Sequence, residues 1–181
     1  MLTKKMEEAL NLQFNKELFS AYLYMAMSSY ANKIGFKGFA NWFMVQYHEE
    51  MFHAMKLYDY LQRQDGNVAF LPLEKPQSEW RSLLDAFEST YEHEKYITDS
   101  INNLMDIAIK EKDHASQIFI QWYVTEQVEE LESDRDIIAQ LKIIDNNSQG
   151  LLMLDKDLAQ RVVTVTTDFS KGIDVPSTPA A

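Results

Sequence analysis

Apolar residues recur every three or four positions along most of the chain, and this spacing predicts four long helices. The segments run from about Thr3 to Asn32, Phe36 to Gln64, Ser82 to Glu111 and Asp113 to Leu141. Ser82 and Asp113 are expected to cap the third and fourth helices, because their side-chain oxygens can accept a hydrogen bond from a free N–H of the first turn. Gly35 separates the first helix from the second.

The connection between the second and third helices, residues 65–81, is much longer than the other two. At about 3.3 Å per residue it could span about 55 Å, whereas a helix of about 29 residues is only about 44 Å long. It can therefore run the length of a bundle, while the short connections permit only helical hairpins. The pattern predicts an all-α protein, a four-helix bundle of two antiparallel hairpins joined by one long crossover.

A short fifth helix is predicted after the turn residues 145–148, because Leu151, Leu154, Leu158 and Val162 give it one apolar face. Since the four-helix bundle is already complete, we expect neighbouring subunits to cover this face. Residues 1–162 are thus expected to form one domain. Residues 163–181 are expected to form a polar, disordered tail that ends with Pro176-Ser177-Thr178-Pro179.

Charge and composition narrow the possible functions. The chain has 28 acidic and 17 basic residues, a net charge of -11, which disfavours nucleic-acid binding and points to cations. It has no cysteine, which excludes disulfides, zinc–thiolate sites and iron–sulfur clusters. The longest nearly apolar stretch, from Ala21 to Ala31, is about half of a membrane span, and the N-terminus lacks an apolar signal segment. We therefore expect a cytoplasmic protein that binds no membrane.

Each long helix has one face with the three- and four-residue steps that pack inside a bundle. The predicted faces are Leu10, Phe14, Glu17, Ala21, Tyr24 and Ser28; Phe39, Phe43, Gln46, Glu50, His53, Leu57 and Tyr60; Leu84, Phe87, Tyr91, Glu94, Thr98, Ile101, Met105 and Ala108; and Ser116, Ile120, Tyr123, Gln127, Glu130, Asp134, Ile137 and Leu141. Every face carries a glutamate near its middle. Because the midpoints of equal helices lie at one depth in a bundle, these four glutamates should converge.

A layer of four buried glutamates predicts a metal site. A single helical glutamate is usually solvated, but no Lys or Arg lies on the predicted faces to pair with four of them. Unpaired buried carboxylates cost many kcal/mol, and bound cations would offset that cost. Carboxylates with one imidazole, from His53, and no sulfur suit iron or manganese. His93 and His114 lie off these faces and are expected at the surface.

These residues resemble those of the bacterial non-haem ferritins over about residues 1–159. The resemblance rests on Glu17 with Tyr24, the run Glu49-Glu50-Met51-Phe52-His53, the run Tyr91-Glu92-His93-Glu94, and Gln121-Trp122-Tyr123 leading into Glu126-Gln127-Val128-Glu129-Glu130. It implies a ferritin-like bundle with a ferroxidase centre inside each subunit. One iron would be held by Glu17, Glu50 and His53, and the second by the bridging Glu50 with Glu94 and Glu130, beside Gln127. A third iron would lie nearby, at Glu49, Glu126, Glu129 and Glu130.

The resemblance also implies what the protein does. Iron(II) would be oxidised to iron(III) by O2 or hydrogen peroxide and stored as hydrated ferric oxide inside a shell of 24 subunits. Tyr24, two turns from Glu17, would bond to a carboxylate, donate an electron or simply pack in the core. Related families differ at single positions: Gln127 and Glu130 stand where bacterioferritins carry Glu-x-x-His. Met51 occupies the place of their haem ligand, but a methionine on an apolar helix usually packs, so no haem is expected.

Two alternatives remain open. A di-iron oxygenase or peroxidase without storage would share the bundle and the carboxylates but would need a substrate cavity beside the irons, where large residues such as Phe87, Tyr91 and Tyr123 are predicted. A shell protein with an idle centre, as in light-type animal ferritin chains, would lack ferroxidase ligands. This chain carries every ligand that the resemblance implies.

Overall fold

The computed structural model describes residues 2–145 and 147–173. This part of the chain forms the helices α1 (Lys4–Lys33), α2 (Lys37–Arg63), α3 (Leu83–Lys110), α4 (His114–Ile144) and α5 (Ser148–Leu158), followed by a 3-10 helix (Phe169–Lys171). The described residues contain no strand, so the predicted all-α class is confirmed. Within the same residues, no helix is both long enough and apolar enough to cross a membrane.

The polar residues in front of the helices cap them. Thr3 accepts a hydrogen bond from the Met6 N–H at 3.2 Å, and Ser82 accepts one from the Asp85 N–H at 3.0 Å. Asp113 caps α4 in the same way, through the Ser116 N–H at 3.1 Å. Each cap satisfies one N–H that the first helical turn leaves without a partner, so the predicted starts of α3 and α4 are confirmed.

Two asparagines on α1 hold the long crossover against the bundle. Asn11 donates to the Asn67 carbonyl at 2.9 Å and accepts from the Ala69 N–H at 2.6 Å. One turn later, Asn15 donates to the Ala69 carbonyl at 2.7 Å and accepts from the Leu71 N–H at 2.8 Å. The two side chains thus bond to backbone groups that an irregular segment would otherwise leave unpaired. The crossover therefore lies along α1.

The apolar core is divided into two clusters by a polar layer. One cluster includes Tyr24, Phe43 and Phe87, and the other includes Phe14 and Leu57. On every long helix the central glutamate lies between residues of the two clusters, so the glutamates are at mid-depth. The clusters fix the depth and orientation of the four helices and thereby of the polar layer between them.

The predicted face of α4 is buried along its whole length, but the predicted face of α3 is partly wrong. Phe87, Glu94, Ile101 and Ala108 are buried as expected, whereas Leu84, Tyr91, Thr98 and Met105 are only half-buried. The buried residues in their place are one position earlier: Leu83, Thr90, Ile97 and Leu104. Thr90 contacts Met27 of α1 at 3.3 Å. Both sets of residues have the same helical spacing, and the earlier set is buried because its side of α3 faces α1.

The fifth helix packs on its own subunit, which corrects the expectation that only neighbouring subunits would cover it. Leu154 is buried, and Leu151 and Leu158 pack against the same apolar cluster. Asp155 accepts hydrogen bonds from the backbone N–H groups of Gly38 at 2.7 Å and Phe39 at 3.0 Å, at the start of α2. A Cβ atom on Gly38 would lie 1.6 Å from the Asp155 carbonyl oxygen, so this contact requires glycine.

The segment after α5 has no further α-helix or strand among the described residues. It contains the 3-10 helix Phe169–Lys171, and the side chain of Ile173 is buried. The end of the predicted disordered tail, Pro176 to Pro179, lies outside the described residues. The predicted domain boundary after residue 162 stays a prediction.

Candidate metal centre

The four predicted glutamates come from four different helices and share one buried layer. Glu17, Glu50 and Glu94 are 1–2% exposed and Glu130 is 6% exposed. Burial raises the pKa of Glu17 to about 7 and raises the pKa of Glu50 and of Glu130 well above its usual value. Neighbouring glutamates add to these shifts, because like charges repel in a medium of low polarity. Without a bound cation, the glutamates of this layer therefore cannot all stay ionised.

One group of possible ligands lies between α1 and α2. Glu17, Glu50 and His53 each offer an atom within 4.8 Å of the others, and His53 Nδ1 lies 3.5 Å from Glu50 Oε2. Glu17 Oε2, Glu50 Oε2 and His53 Nε2 are buried and have no hydrogen-bond partner within residues 2–145 and 147–173. Buried polar atoms are rarely left in this state. Two buried carboxylate oxygens that lack such partners and lie beside the His53 imidazole fit a bound cation.

The imidazole of His53 is prepared for metal binding. Burial lowers its pKa to about 3, so the ring is neutral and one nitrogen carries a free lone pair. The ring lies 5.3 Å from that of Trp122, centre to centre, and Tyr123 donates its hydroxyl to the His53 carbonyl at 2.8 Å. These contacts hold the residue in place beside Glu50.

A second group joins the layer to the surface. His53, Glu126 and Glu130 each offer an atom within 4.8 Å of the others, and His53 Nε2 lies 4.0 Å from Glu126 Oε1. The side chain of Glu126 is 29% exposed. Glu126, which the family resemblance assigned to the third site, is therefore also within reach of His53.

Glu94 is oriented by hydrogen bonds from two other helices. Tyr24 of α1 donates its hydroxyl to Glu94 Oε1 at 2.6 Å. Gln127 of α4 donates its amide to Glu94 Oε2 at 3.1 Å and to Thr98 Oγ1 at 3.1 Å. Tyr24 and Gln127 thus contact a carboxylate directly, and the structure brings both into the layer where the sequence had expected them.

Two further glutamines orient the layer, and sequence reasoning assigned no role to either. Gln13 donates to Glu17 Oε1 at 2.8 Å, and Gln46 donates to Glu130 Oε2 at 2.8 Å. Both are buried. Gln13 lies one turn before Glu17, so a search for amides at that spacing would have found it. Gln46 lay on a predicted face, but its partner is on another helix, and no local spacing indicates that contact.

Asp134 is a fifth buried carboxylate, one turn beyond Glu130. It is 1% exposed, and burial raises its pKa to about 9. Its Oδ2 atom has no hydrogen-bond partner in the part of the chain that the structure describes. It was on the predicted face of α4 but outside the predicted ligand set.

The three remaining predicted residues form what we call the outer group: Glu49, Glu126 and Glu129. Glu49 is mostly buried and is paired with Arg161, whose Nη2 lies 2.6 Å from Glu49 Oε2. Glu129 is exposed. Desolvation raises the pKa of Glu126, and the charges of Glu129 and Glu49 raise it further, so the three carboxylates interact. The outer group borders the buried layer at Glu130 and extends to the surface.

His93 was expected at the surface but is half-buried. Its Nε2 lies 2.7 Å from Ser20 Oγ, and burial lowers its pKa. It packs near Phe19 of α1, because the side of α3 that faces α1 is not the side that the pattern predicted. His114, in contrast, is exposed as predicted.

Comparison with known proteins agrees with this geometry. The family described as the Ferritin-like domain matches residues 7–144 of the chain. The chain belongs to the ferritin family. It is 40% identical over 156 residues to the bacterial non-heme ferritin of Campylobacter jejuni, a match that covers 86% of this chain and 93% of the relative. It is 38% identical over 161 residues to that of Staphylococcus haemolyticus, covering 89% and 97%.

Solved structures give the same result for the fold. An open pore ferritin from the archaeon Archaeoglobus fulgidus superposes with a TM-score of 0.89 at 49% sequence identity, and the match covers 90% of this chain and all of that one. The predicted ferritin-like bundle with a short C-terminal helix is therefore confirmed. As a member of the bacterial non-haem ferritin type, the protein is an iron-storage protein and an oxidoreductase with ferroxidase activity.

Proposed function

We propose that two iron(II) ions bind in the glutamate layer and are oxidised there together. Glu17, Glu50 and His53 would hold one iron, and Glu50, Glu94 and Glu130 would hold the second, so that Glu50 bridges the pair. The observation that carries this proposal is the set of buried atoms on Glu17, Glu50 and His53 that find no hydrogen-bond partner among the described residues. Shared coordination by one carboxylate would keep the irons close enough to deliver two electrons to one O2 or peroxide molecule.

The donor set itself favours oxidation. Carboxylates are hard, anionic ligands and stabilise iron(III) more strongly than iron(II). Hydrogen bonds from Tyr24, Gln13, Gln46 and Gln127 fix one oxygen of a glutamate each. Such partners orient metal ligands and limit their freedom to rearrange. The layer is thus arranged for the charge that the irons carry after oxidation.

The oxidised iron would move to a cavity enclosed by 24 copies of the chain and be stored as hydrated ferric oxide. Support for assembly comes from apolar side chains that the single chain leaves exposed on α1 and the crossover: Leu12, Tyr22, Met25, Phe70, Leu71 and Leu73 are each 40% exposed or more. A patch of this kind usually marks an interface. A cytoplasmic location also stays a prediction.

Aerobic iron(II) titration of the metal-free protein, followed by stopped-flow absorbance, tests the proposal. We expect a fast phase that saturates near two or three irons per subunit, followed by slower mineral growth, with the protein sedimenting as one large species. Oxidation no faster than in buffer would refute the ferroxidase assignment. A fast phase with no mineral growth would instead favour the di-iron oxygenase or peroxidase that does not store iron.

A further inference from the structure

The outer group already has a cation in the metal-free protein, and that cation comes from the C-terminal segment. Arg161, three residues after the end of α5, places its guanidinium 2.6 Å from Glu49. The central carbon of the guanidinium lies 4.7 Å from the centre of the Trp42 ring. Its positive charge also lowers the pKa of Glu49, Glu130 and Asp134 relative to burial alone. One arginine therefore counters the charge of both the outer group and the buried layer.

The position of Arg161 is fixed by contacts of its own carbonyl and of the residues before it. Asn41 of α2 donates its amide to the Leu158 carbonyl at 3.2 Å and to the Arg161 carbonyl at 2.9 Å. Asp155 binds the start of α2 through two backbone N–H groups. The docking of α5 on α2 thus determines where the guanidinium lies.

The guanidinium is held less tightly than its burial would suggest. A guanidinium offers five N–H donors, yet Nη1 of Arg161 is buried and has no hydrogen-bond partner among the described residues. The bond to Glu49 satisfies Nη2 alone. The side chain is 26% exposed, so it has a route to solvent if a stronger cation takes its place on Glu49.

We propose that Arg161 is the resident counter-cation of the outer group and that it competes with a third metal ion for Glu49. This inference rests on the proposed function, because the outer group is the predicted third site. Arg161 occupies Glu49 Oε2 and adds a positive charge beside the outer group, so it opposes a metal ion that binds Glu49. Arg161 is then a positioning residue that keeps the third site weaker than the first two and ties its occupancy to the docked C-terminal segment.

Calorimetric titration of the metal-free, full-length protein with Zn²⁺ tests the proposal without redox chemistry. In Arg161→Gln, the third Zn²⁺ per subunit should bind about tenfold more tightly, which corresponds to about 1.4 kcal/mol of removed competition, while the first two keep their affinity. Arg161→Met, which keeps an apolar stem on Trp42, should give the same result. Arg161→Lys retains the charge and should bind the third ion nearly as the unmodified protein does.

Arg135→Gln is the matched control, since it removes the same charge from an exposed position on α4 and should change no affinity. If Arg161→Gln and Arg161→Met lower the thermal midpoint but leave the third affinity unchanged, the residue is only structural and the proposal is wrong. If Arg161→Lys binds the third ion as tightly as Arg161→Gln, counter-charge is not the cause, and the proposal is again wrong. If the first two Zn²⁺ ions do not bind to the unmodified protein, the proposed function itself fails.

Discussion

Glu17 should make the metal-free protein less stable as the pH rises from acid to neutral. Its carboxyl is 1% exposed, and burial raises its pKa from 4.5 to about 7. Between these two values the folded chain binds this proton and the unfolded chain does not. The stabilisation is therefore fully present below about pH 4.5 and is lost as the pH rises through about 7.

The size of the effect follows from the pKa difference. Each pH unit in this window removes about 1.4 kcal/mol of the free energy of unfolding, so the whole window removes about 3 kcal/mol. Glu17→Gln mimics the protonated carboxyl at every pH and should not lose this stability. The difference between variant and unmodified protein should therefore be small near pH 4.5 and reach about 3 kcal/mol in favour of the variant above pH 7.

Urea unfolding of the metal-free protein, in the presence of a chelator and at several pH values between 4.5 and 7.5, measures this difference. Glu8→Gln is the control, because Glu8 lies on the same helix but is exposed, and its difference from the unmodified protein should not change with pH. A Glu17→Gln difference that is equally flat would show that the carboxyl is not held in a low-polarity layer. Glu17 would then not be a candidate metal ligand.

Three other variants test other parts of the structure. Glu50→Ala should slow the fast phase of iron oxidation by at least about 100-fold in stopped-flow absorbance, since both irons lose a ligand; an unchanged fast phase would remove Glu50 from the centre. Replacing all three carboxylates of the outer group with glutamine should keep the fast phase but change the iron-to-O2 ratio, measured with an oxygen electrode, whereas loss of the fast phase would place them among the ligands of the first two irons. Asp155→Ala should cost about 1–2 kcal/mol in urea unfolding, because α2 loses a charged cap; a loss no larger than that of Asp157→Ala, at an exposed position of the same helix, would contradict the docking role.

The bundle could be predicted because its signals are local or follow from lengths. Helical spacing, the caps Ser82 and Asp113 and the length of the crossover depend only on neighbouring residues and on chain geometry. The convergence of the glutamates followed in the same way, since each lies near the midpoint of a helix. Which side of α3 is buried did not follow, because Thr90 and Tyr91 satisfy the spacing equally well and only contact with α1 distinguishes them.

The partners of the glutamates were harder to predict than the glutamates themselves. Gln13 bonds within its own helix and was visible in the spacing once its target was known. Gln46 and Arg161 reach across to other elements, and no local pattern indicates such contacts. The docking of α5 depends on Asp155 meeting the start of α2, a contact between residues more than a hundred positions apart in the sequence.

Anomalous diffraction from crystals of the protein soaked anaerobically in iron(II) would test the central claim most directly. We expect two strong peaks inside each four-helix bundle, one beside Glu17 and His53 and one beside Glu94 and Glu130, with Glu50 in contact with both. A weaker third peak is expected at the outer group. Crystals in which iron occupies only surface carboxylates, with no peak in the glutamate layer, would contradict the account.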